Sequence, residues 1–167
     1  HFTECKLPVP TLLKVCDDEL CYLQTDLGQT SLFDAISGGR EAGGRYNKLE
    51  KQLLINTIRE LPRIQIEGAR GMDWSNCYPQ PEFDQDSVLF DLNYFKYCFL
   101  KATGLDFHEL KLEANFRLFA KDLTSENDDC FLYRDFQARN VMLDANGKPY
   151  FIDFQGGRKG PYYYDLA

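Results

Sequence analysis

The apolar residues of this sequence change their spacing once along the chain, and that change limits the folds open to it. In residues 49–61 they recur every three to five positions, the spacing of a helix that buries one face, and residues 87–103 and 107–123 are apolar in other helical patterns. From residue 130 onward, short apolar runs alternate with turn residues, which is typical of strands. Helices and strands therefore occupy different parts of the chain, and the predicted fold class is α+β.

Three helices are predicted in the middle of the chain. The first covers residues 49–61 and is expected to stop before Pro62, because proline has no backbone N–H to donate. The second covers residues 87–103 and ends at Gly104; its apolar residues lie on more than one face, which predicts a central buried helix. The third covers residues 107–123.

The segments before and between these helices are shorter. A β-hairpin is predicted over residues 11–24, where two apolar runs flank Asp17-Asp18-Glu19. A short helical turn over residues 31–36 is expected to stop at Gly38-Gly39. Residues 63–84 combine glycine, proline and aromatic residues without a sustained period, which predicts a surface excursion.

Composition excludes several classes of protein. Hydrophobic residues are 44% of the 167 and charged residues 27%, the usage of a globular domain. The formal net charge of −7 provides no overall positive field for a nucleic acid, so no nucleic-acid partner is expected. No apolar run approaches the roughly 20 residues that cross a bilayer, so no membrane partner is expected either. The six scattered cysteines form no CxxC pair and are interpreted as mostly buried, reduced thiols of a cytoplasmic protein, with disulfide bonding as the open alternative.

Three oxygen-bearing side chains are expected to meet at one edge of a β-ribbon. Asp135 follows the predicted strand 130–133, and Asn140 begins the strand 140–143. A tight turn at Asn146-Gly147 leads into the strand 149–152, which brings Asp153 back beside Asn140. Phosphoryl transfer needs a carboxylate to accept the proton of an attacking hydroxyl and hard oxygen ligands for Mg²⁺. The predicted roles are therefore catalytic base for Asp135 and metal ligands for Asn140 and Asp153.

The same residues carry a resemblance to a known superfamily. The spacing of Asp135, Asn140 and Asp153 matches the kinase catalytic loop and its metal-binding Asp. With the tail Gly160-Pro161-Tyr162-Tyr163-Tyr164-Asp165-Leu166-Ala167, the segment resembles the aminoglycoside phosphotransferase and choline kinase superfamily. Its Asp-Phe-Gln, Gly-Pro and Tyr-Asp-Leu elements are similar to the branch of N-acetylhexosamine sugar kinases.

This resemblance implies a domain organisation and a nucleotide site. Residues 1–28 would be the last strands of the small nucleotide lobe and the hinge, and residues 29–167 a mostly helical large lobe of a protein-kinase-like fold, incomplete at its C-terminus. The Gln24 carbonyl and the Asp26 amide would meet the adenine edge of ATP. The chain is then an internal fragment of a longer kinase, and the isolated fragment is not expected to turn over ATP; repeated ADP release by it would refute that expectation.

Other residues have two interpretations. Arg134 and Asp165 are assigned supporting roles in the catalytic loop, whereas Arg139 and Arg158 either lie near the transferred phosphate or are solvated surface residues. Polar and aromatic candidates for contact with the acceptor are Asp73, Trp74, Tyr78, Asp91 and Asn93.

The activity implied is ATP-dependent transfer of phosphate to a hydroxyl of a small metabolite, a sugar being one such acceptor. The first alternative is a degenerate kinase-like module that binds a nucleotide or partner without catalysis, since Tyr133 replaces the usual His. A protein kinase is a weaker alternative, because no Ala-Pro-Glu ends an activation segment here.

Overall fold

The computed structural model describes residues 1–18, 20–125 and 129–166. Glu19, in the turn of the predicted hairpin, and Ala167, at the end of the predicted large lobe, lie outside the described residues. In chain order the helices and strands are β1 (Leu12–Val15), β2 (Tyr22–Gln24), α1 (Leu32–Ala35), α2 (Ser37–Glu41), α3 (Lys48–Glu67), α4 (Gln85–Phe95), α5 (Glu109–Leu123), β3 (Cys130–Leu132), β4 (Val141–Leu143), β5 (Pro149–Phe151) and β6 (Arg158–Gly160). The fold is α+β, as predicted.

Within the described residues the strands form three antiparallel pairs: β1 with β2, β3 with β6, and β4 with β5. In the last pair Val141 lies opposite Phe151, so Asn140 and Ile152 flank the pair at the same end. Gly147 takes φ +76° in the turn between these strands, the left-handed conformation that glycine adopts without strain. The sequence did not predict β6, because its three residues follow two glycines and carry no apolar pattern.

Helix α3 runs through Pro62 to Glu67, so the predicted stop was wrong. A proline inside a helix costs about 3 kcal/mol through its missing hydrogen bond and its ring. Leu61 and Ile64 on either side are almost fully buried, and burying one such side chain contributes about 1.5–3 kcal/mol. The contacts beyond Pro62 therefore hold the helix together across it.

Strand β3 separates two apolar clusters because its side chains alternate. Phe131 and the following Tyr133 face the larger cluster, which includes residues of α1, α3, β4 and β5. Leu132 faces the smaller cluster with Phe83, Val88 and Ala120, which joins α4 to α5. The loop that follows β3 is therefore anchored from both sides of the strand.

The prediction of one central buried helix over residues 87–103 was wrong. Helix α4 ends at Phe95 and continues as a π-helical turn over Lys96–Leu100 and a 3-10 turn over Lys101–Thr103. Gly104 ends the run with φ +70°, as predicted. Large apolar side chains of this run are exposed rather than buried; they are Phe90, Tyr94, Phe95, Tyr97 and Phe99. Apolar character alone did not show which face another element covers.

Two further expectations are corrected. Gly38 and Gly39 lie inside α2 rather than stopping a helix, and Gly39 packs so closely on Tyr46 that a Cβ there would clash with the Tyr46 ring. Cys16 and Cys21 form a disulfide bond, because the pairing of β1 with β2 brings their Cα atoms to 5.5 Å. Cys5, Cys77 and Cys130 are half-buried, and Cys98 is exposed. Within the described part of the chain, no helix has the length and apolar character needed to cross a membrane.

Candidate active site

The loop after β3 is fixed at its start by one carboxylate. Asp165 accepts hydrogen bonds from the backbone N–H groups of Tyr133 (2.9 Å) and Arg134 (2.8 Å). Arg134 itself takes φ +76°, a left-handed conformation that costs a non-glycine residue energy unless its surroundings hold it there. The two bonds to Asp165 supply that restraint, which agrees with the supporting role predicted for Asp165.

Asp165 is in turn held by helix α3. The Gln65 amide, 4% exposed, donates to the Asp165 carboxylate (2.8 Å) and to the Tyr162 carbonyl (2.8 Å). Burial raises the pKa of Asp165 and outweighs the opposing effect of the hydrogen bonds that it accepts. Gln65 was not among the residues predicted from the sequence. It could have been recognised as a polar residue four positions after Leu61, on the buried face of α3.

Asn140 ties the two ends of the loop together. Its amide nitrogen donates to the backbone oxygen of Asp135 (3.0 Å), and its own carbonyl accepts from the Ile152 N–H (3.0 Å). The amide oxygen of Asn140 is thereby left as the group that can bind a cation. These two bonds bring the Asp135 loop and the segment before Asp153 into one unit.

Tyr133 also holds the Asp135 loop and the segment before Asp153 together. Its phenol, on a side chain only 1% exposed, donates to the Ile152 carbonyl and lies 3.5 Å from the Asn140 carbonyl. Burial raises the pKa of Tyr133 well above its usual range, and the negative charges of Asp153, Asp135 and Asp165 raise it further. The phenol therefore stays protonated and keeps its donor role.

Asp153 lies two residues beyond β5 with φ +65°, a second left-handed residue in this region. Its Oδ1 accepts a hydrogen bond from the Gln155 amide. The loop beyond it passes beside the first loop: a Cβ placed on Gly156 would lie 3.6 Å from Oδ2 of Asp135. Asp135 and Asp153 are both exposed, whereas Asn140 is buried. The structure thus brings the three predicted residues into neighbouring loops.

These donors suit a magnesium ion bound with a nucleotide. Mg²⁺ prefers oxygen ligands, and it is usually held by one or two protein carboxylates together with waters and phosphates. The Asp153 carboxylate and the Asn140 amide oxygen are ligands of that kind, while Asp135 beside them can accept a proton. Among the described residues, the one tight group of metal-binding residue types is Cys16, Asp18 and Cys21, whose two sulfurs are already joined as a disulfide.

The two predicted nucleotide-hinge residues lie elsewhere. Gln24 ends β2 opposite Leu12, and Asp26 accepts a hydrogen bond from the Gly28 N–H (2.8 Å); both are exposed. The structure records no contact between either of them and the Asp135 loop in the part of the chain that it describes. Their segment reaches the ribbon through the Thr30 carbonyl, which accepts from the Leu143 N–H of β4 (2.9 Å).

Asp91, one of the residues predicted to contact the phosphate-accepting substrate, lines the same cavity as Asp135. It accepts from the Arg134 guanidinium (3.1 Å) and from the Tyr164 hydroxyl (3.2 Å). These three residues, together with Phe90, Tyr94 and Asp135, line an open cavity of about 410 Å³. The Arg134 ion pair agrees with a supporting role for that residue.

The remaining candidates have structural contacts. The Asn93 amide donates back to the Leu89 carbonyl of its own helix (2.9 Å), and Asp73 caps a 3-10 turn. Trp74 packs against the larger apolar cluster, and Tyr78 is exposed. Arg139 lies over the ring of Phe33 at 4.3 Å. Arg158 is buried, which overturns its interpretation as a solvated surface residue.

An α+β fold with short antiparallel strand pairs agrees with a partial kinase-like fold. The sequence model of the Phosphotransferase enzyme family matches residues 1–167, so the chain belongs to this family, within the aminoglycoside phosphotransferase and choline kinase superfamily. No curated protein gives a significant match to the chain.

Proposed function

We propose that this chain carries the catalytic centre of an ATP-dependent kinase that phosphorylates a hydroxyl of a small metabolite, with sugars as the first class to test. The observation that supports this most directly is the double link of Asn140, to the Asp135 carbonyl on one side and to the Ile152 N–H on the other. This link joins the loop of Asp135, the proposed proton acceptor, to the segment before Asp153, which with Asn140 would supply the oxygen ligands.

In the proposed reaction the acceptor hydroxyl gives its proton to Asp135 as its oxygen attacks the γ-phosphorus of ATP. The bond from that phosphorus to the β-phosphate oxygen breaks, and ADP leaves. Asn140 and Asp153 would hold Mg²⁺, which neutralises charge on the phosphates. Tyr133 and Asp165 hold the two loops in register throughout.

Replacing Asp135 tests the role of the base. Asp135→Asn in the full-length protein should lower kcat by at least about a hundredfold, the lower end of what general base catalysis contributes, with ATP affinity nearly unchanged. Asp106→Asn, which changes another exposed carboxylate, should keep normal turnover. Steady-state kinetics over a panel of sugars, amino alcohols and aminoglycosides, with calorimetric ATP titrations, measure both quantities. If the kcat of Asp135→Asn stays within a few-fold of wild type, Asp135 is not the catalytic base.

The same titrations separate catalysis from the alternative of a binding module. A kinase should bind ATP more tightly with Mg²⁺ than without it, and Asp153→Asn should abolish that difference. A protein that binds nucleotide normally but phosphorylates no acceptor in the panel would support the binding module instead.

The nucleotide hinge is proposed at Gln24 and Asp26 through backbone groups, so it needs a backbone test. Asp26→Pro removes the amide N–H and should weaken ATP binding about tenfold, the value of one good hydrogen bond. Asp26→Ala keeps the amide while removing the carboxylate that caps Gly28, and should bind ATP nearly normally. Equal affinities for the two variants would contradict a hinge role for this amide.

A further inference from the structure

Arg158 is a buried cation without a full set of partners. Its side chain is 2% exposed, and its Nε donates to the Gly156 carbonyl at 3.3 Å. Its Nη2 is buried, and no atom of the described residues accepts a hydrogen bond from it. Buried guanidinium groups normally have their donors satisfied, so this nitrogen indicates a partner that the described residues do not provide.

Arg158 lines a cavity of about 250 Å³ at the beginning of α4. The lining also includes Gln80, Asp86, Ser87, Phe90 and Arg134. Asp86 and Ser87 of this lining belong to the first turn of the 11-residue helix α4, where the Asp84 carboxylate accepts the Ser87 N–H (2.9 Å). The Ser87 hydroxyl oxygen accepts from the Gln80 amide (2.8 Å), and the Ser87 side chain also hydrogen-bonds to Asp84. The lining thus combines two guanidinium groups with the polar side chains of Gln80 and Ser87 and one carboxylate, Asp86.

Most of the carboxylates around this cavity already accept hydrogen bonds from other groups of the protein. Asp91 is held by Arg134 and Tyr164. Burial opposes ionisation of Asp84, but hydrogen bonds from Ser87 and Gln80 outweigh it and lower the pKa of Asp84. Asp86 is the carboxylate that lines the cavity itself. Burial lowers the pKa of Arg158 and the charge of Arg134 lowers it further, while the charges of Asp91 and Asp84 act in the opposite direction.

The cavity continues toward the proposed catalytic base. Phe90 and Arg134 line both this cavity and the larger one that contains Asp135. Both guanidinium carbons lie about 6 Å from the centre of the Phe83 ring, at 5.9 Å for Arg134 and 6.0 Å for Arg158, so the two cations flank one aromatic residue. A small molecule with a hydroxyl at Asp135 can therefore extend a second group toward Arg158.

We propose that this cavity, which we call the Arg158 pocket, binds an anionic substituent of the acceptor, so that the substrate is a small hydroxyl compound carrying a carboxylate or phosphate. The proposal rests on the proposed kinase function, whose own residues do not distinguish neutral from charged acceptors. Guanidinium groups bind both anions through paired N–H donors.

Binding measurements on the full-length protein without ATP or Mg²⁺ test the pocket apart from catalysis. The probes are inorganic phosphate and matched sugars: glucose with glucose 6-phosphate and glucuronate, and N-acetylglucosamine with its 6-phosphate. In at least one set the anionic sugar should bind about tenfold more tightly than the neutral one, the effect of a charge-assisted hydrogen bond. The phosphate and carboxylate arms show which anion the pocket prefers.

Two variants with opposite expected effects localise the binding. Arg158→Met keeps the apolar stem and removes the charge, and it should abolish the preference for the anionic sugar. Asp86→Asn removes the negative charge from the lining and should strengthen anion binding about threefold. Because Asp86 is exposed, this variant remains informative if Arg158→Met does not fold. Asp153→Asn should leave phosphate binding unchanged, which separates the Arg158 pocket from the nucleotide site.

The outcomes distinguish this proposal from the proposed function. Equal binding of neutral and anionic sugars in every set, or a preference that Asp86→Asn leaves unchanged, overturns the Arg158 pocket while the kinase assignment stands on its turnover. The opposite result is a protein that prefers anionic sugars, responds to the variants as expected and phosphorylates no acceptor. It would support the Arg158 pocket and contradict the kinase assignment.

Discussion

Tyr133 shows how one side chain supports a site without touching a substrate. In the protein-kinase motif a histidine stands at this position; here a buried phenol donates to the Ile152 carbonyl and lies beside the Asn140 carbonyl. The substitution therefore preserves a brace between the two loops. It does not by itself favour a degenerate, non-catalytic scaffold.

Removing this hydroxyl should lower stability and change its pH dependence. Tyr133→Phe leaves a buried carbonyl without its donor, at a cost of about 1–3 kcal/mol in the free energy of unfolding. The pKa of Tyr133 is higher in the folded than in the unfolded state, so the folded protein keeps a proton that the unfolded chain loses above pH about 10. The free energy of unfolding of the wild type should therefore fall as the pH rises above about 10. The Tyr133→Phe variant should lack this fall.

Denaturant unfolding between pH 7 and 11 measures both effects. Tyr150→Phe, at a half-buried tyrosine of β5, is the matched control and should keep the wild-type pH dependence. Parallel pH curves for wild type and Tyr133→Phe would show that the phenol is not held as the structure describes.

At the scale of elements, helix α3 connects the core to the catalytic loop. It crosses Pro62 because Leu61 and Ile64 are buried, and the extra turn carries Gln65 to Asp165. A helix that ended at the proline would leave Asp165 without this donor. The continuation of the helix is thus also what positions the backbone of Tyr133 and Arg134.

Gln65→Leu should therefore affect both stability and turnover. The variant removes two hydrogen bonds from a buried site, with an expected loss of about 1–3 kcal/mol, and it loosens the restraint on Arg134. Gln52→Leu, at an exposed position of the same helix, is the control and should change neither quantity appreciably. Thermal unfolding and steady-state kinetics on the full-length protein check the pair. Normal kcat in a folded Gln65→Leu variant would show that Asp165 holds the loop without help from α3.

At the scale of the whole molecule, the packing is uneven. The β3–β6 pair lies between the two apolar clusters, whereas every residue of β1 and β2 is exposed. The disulfide between Cys16 and Cys21 closes the exposed hairpin. Local opening of a segment with so little buried surface should cost far less than global unfolding.

Reducing the disulfide should accordingly act locally. With a reductant, backbone amides of the β1–β2 hairpin should exchange with deuterium faster, while those of β3 and β6 keep their protection. The main thermal transition should stay where it is, and Cys16→Ser with Cys21→Ser should reproduce the result without reductant. A fall in Tm of more than about 3 °C, the effect of roughly 1 kcal/mol in a chain of this length, would show that the hairpin unfolds together with the core.

The sequence alone determined the features that depend on local chemistry. The change of apolar spacing predicted an α+β fold, and the residues of the Asn146-Gly147 turn predicted the β4–β5 ribbon. The interval between Asp135, Asn140 and Asp153 predicted that they would lie in neighbouring loops, because a hairpin returns its second strand to the start of the first. Each of these follows from contacts between residues close in the chain.

Tertiary structure decided what depends on distant partners. Helix α3 passes Pro62 because its far end is buried, and the aromatic residues of α4 are exposed because no described element covers them. Strand β6 forms because β3 offers it a backbone ladder, and Cys16 meets Cys21 because β1 pairs with β2. Burial of Arg158 likewise arises from elements far apart in sequence. Free energies of burial and pairing depend on which surfaces meet, and local sequence does not specify that.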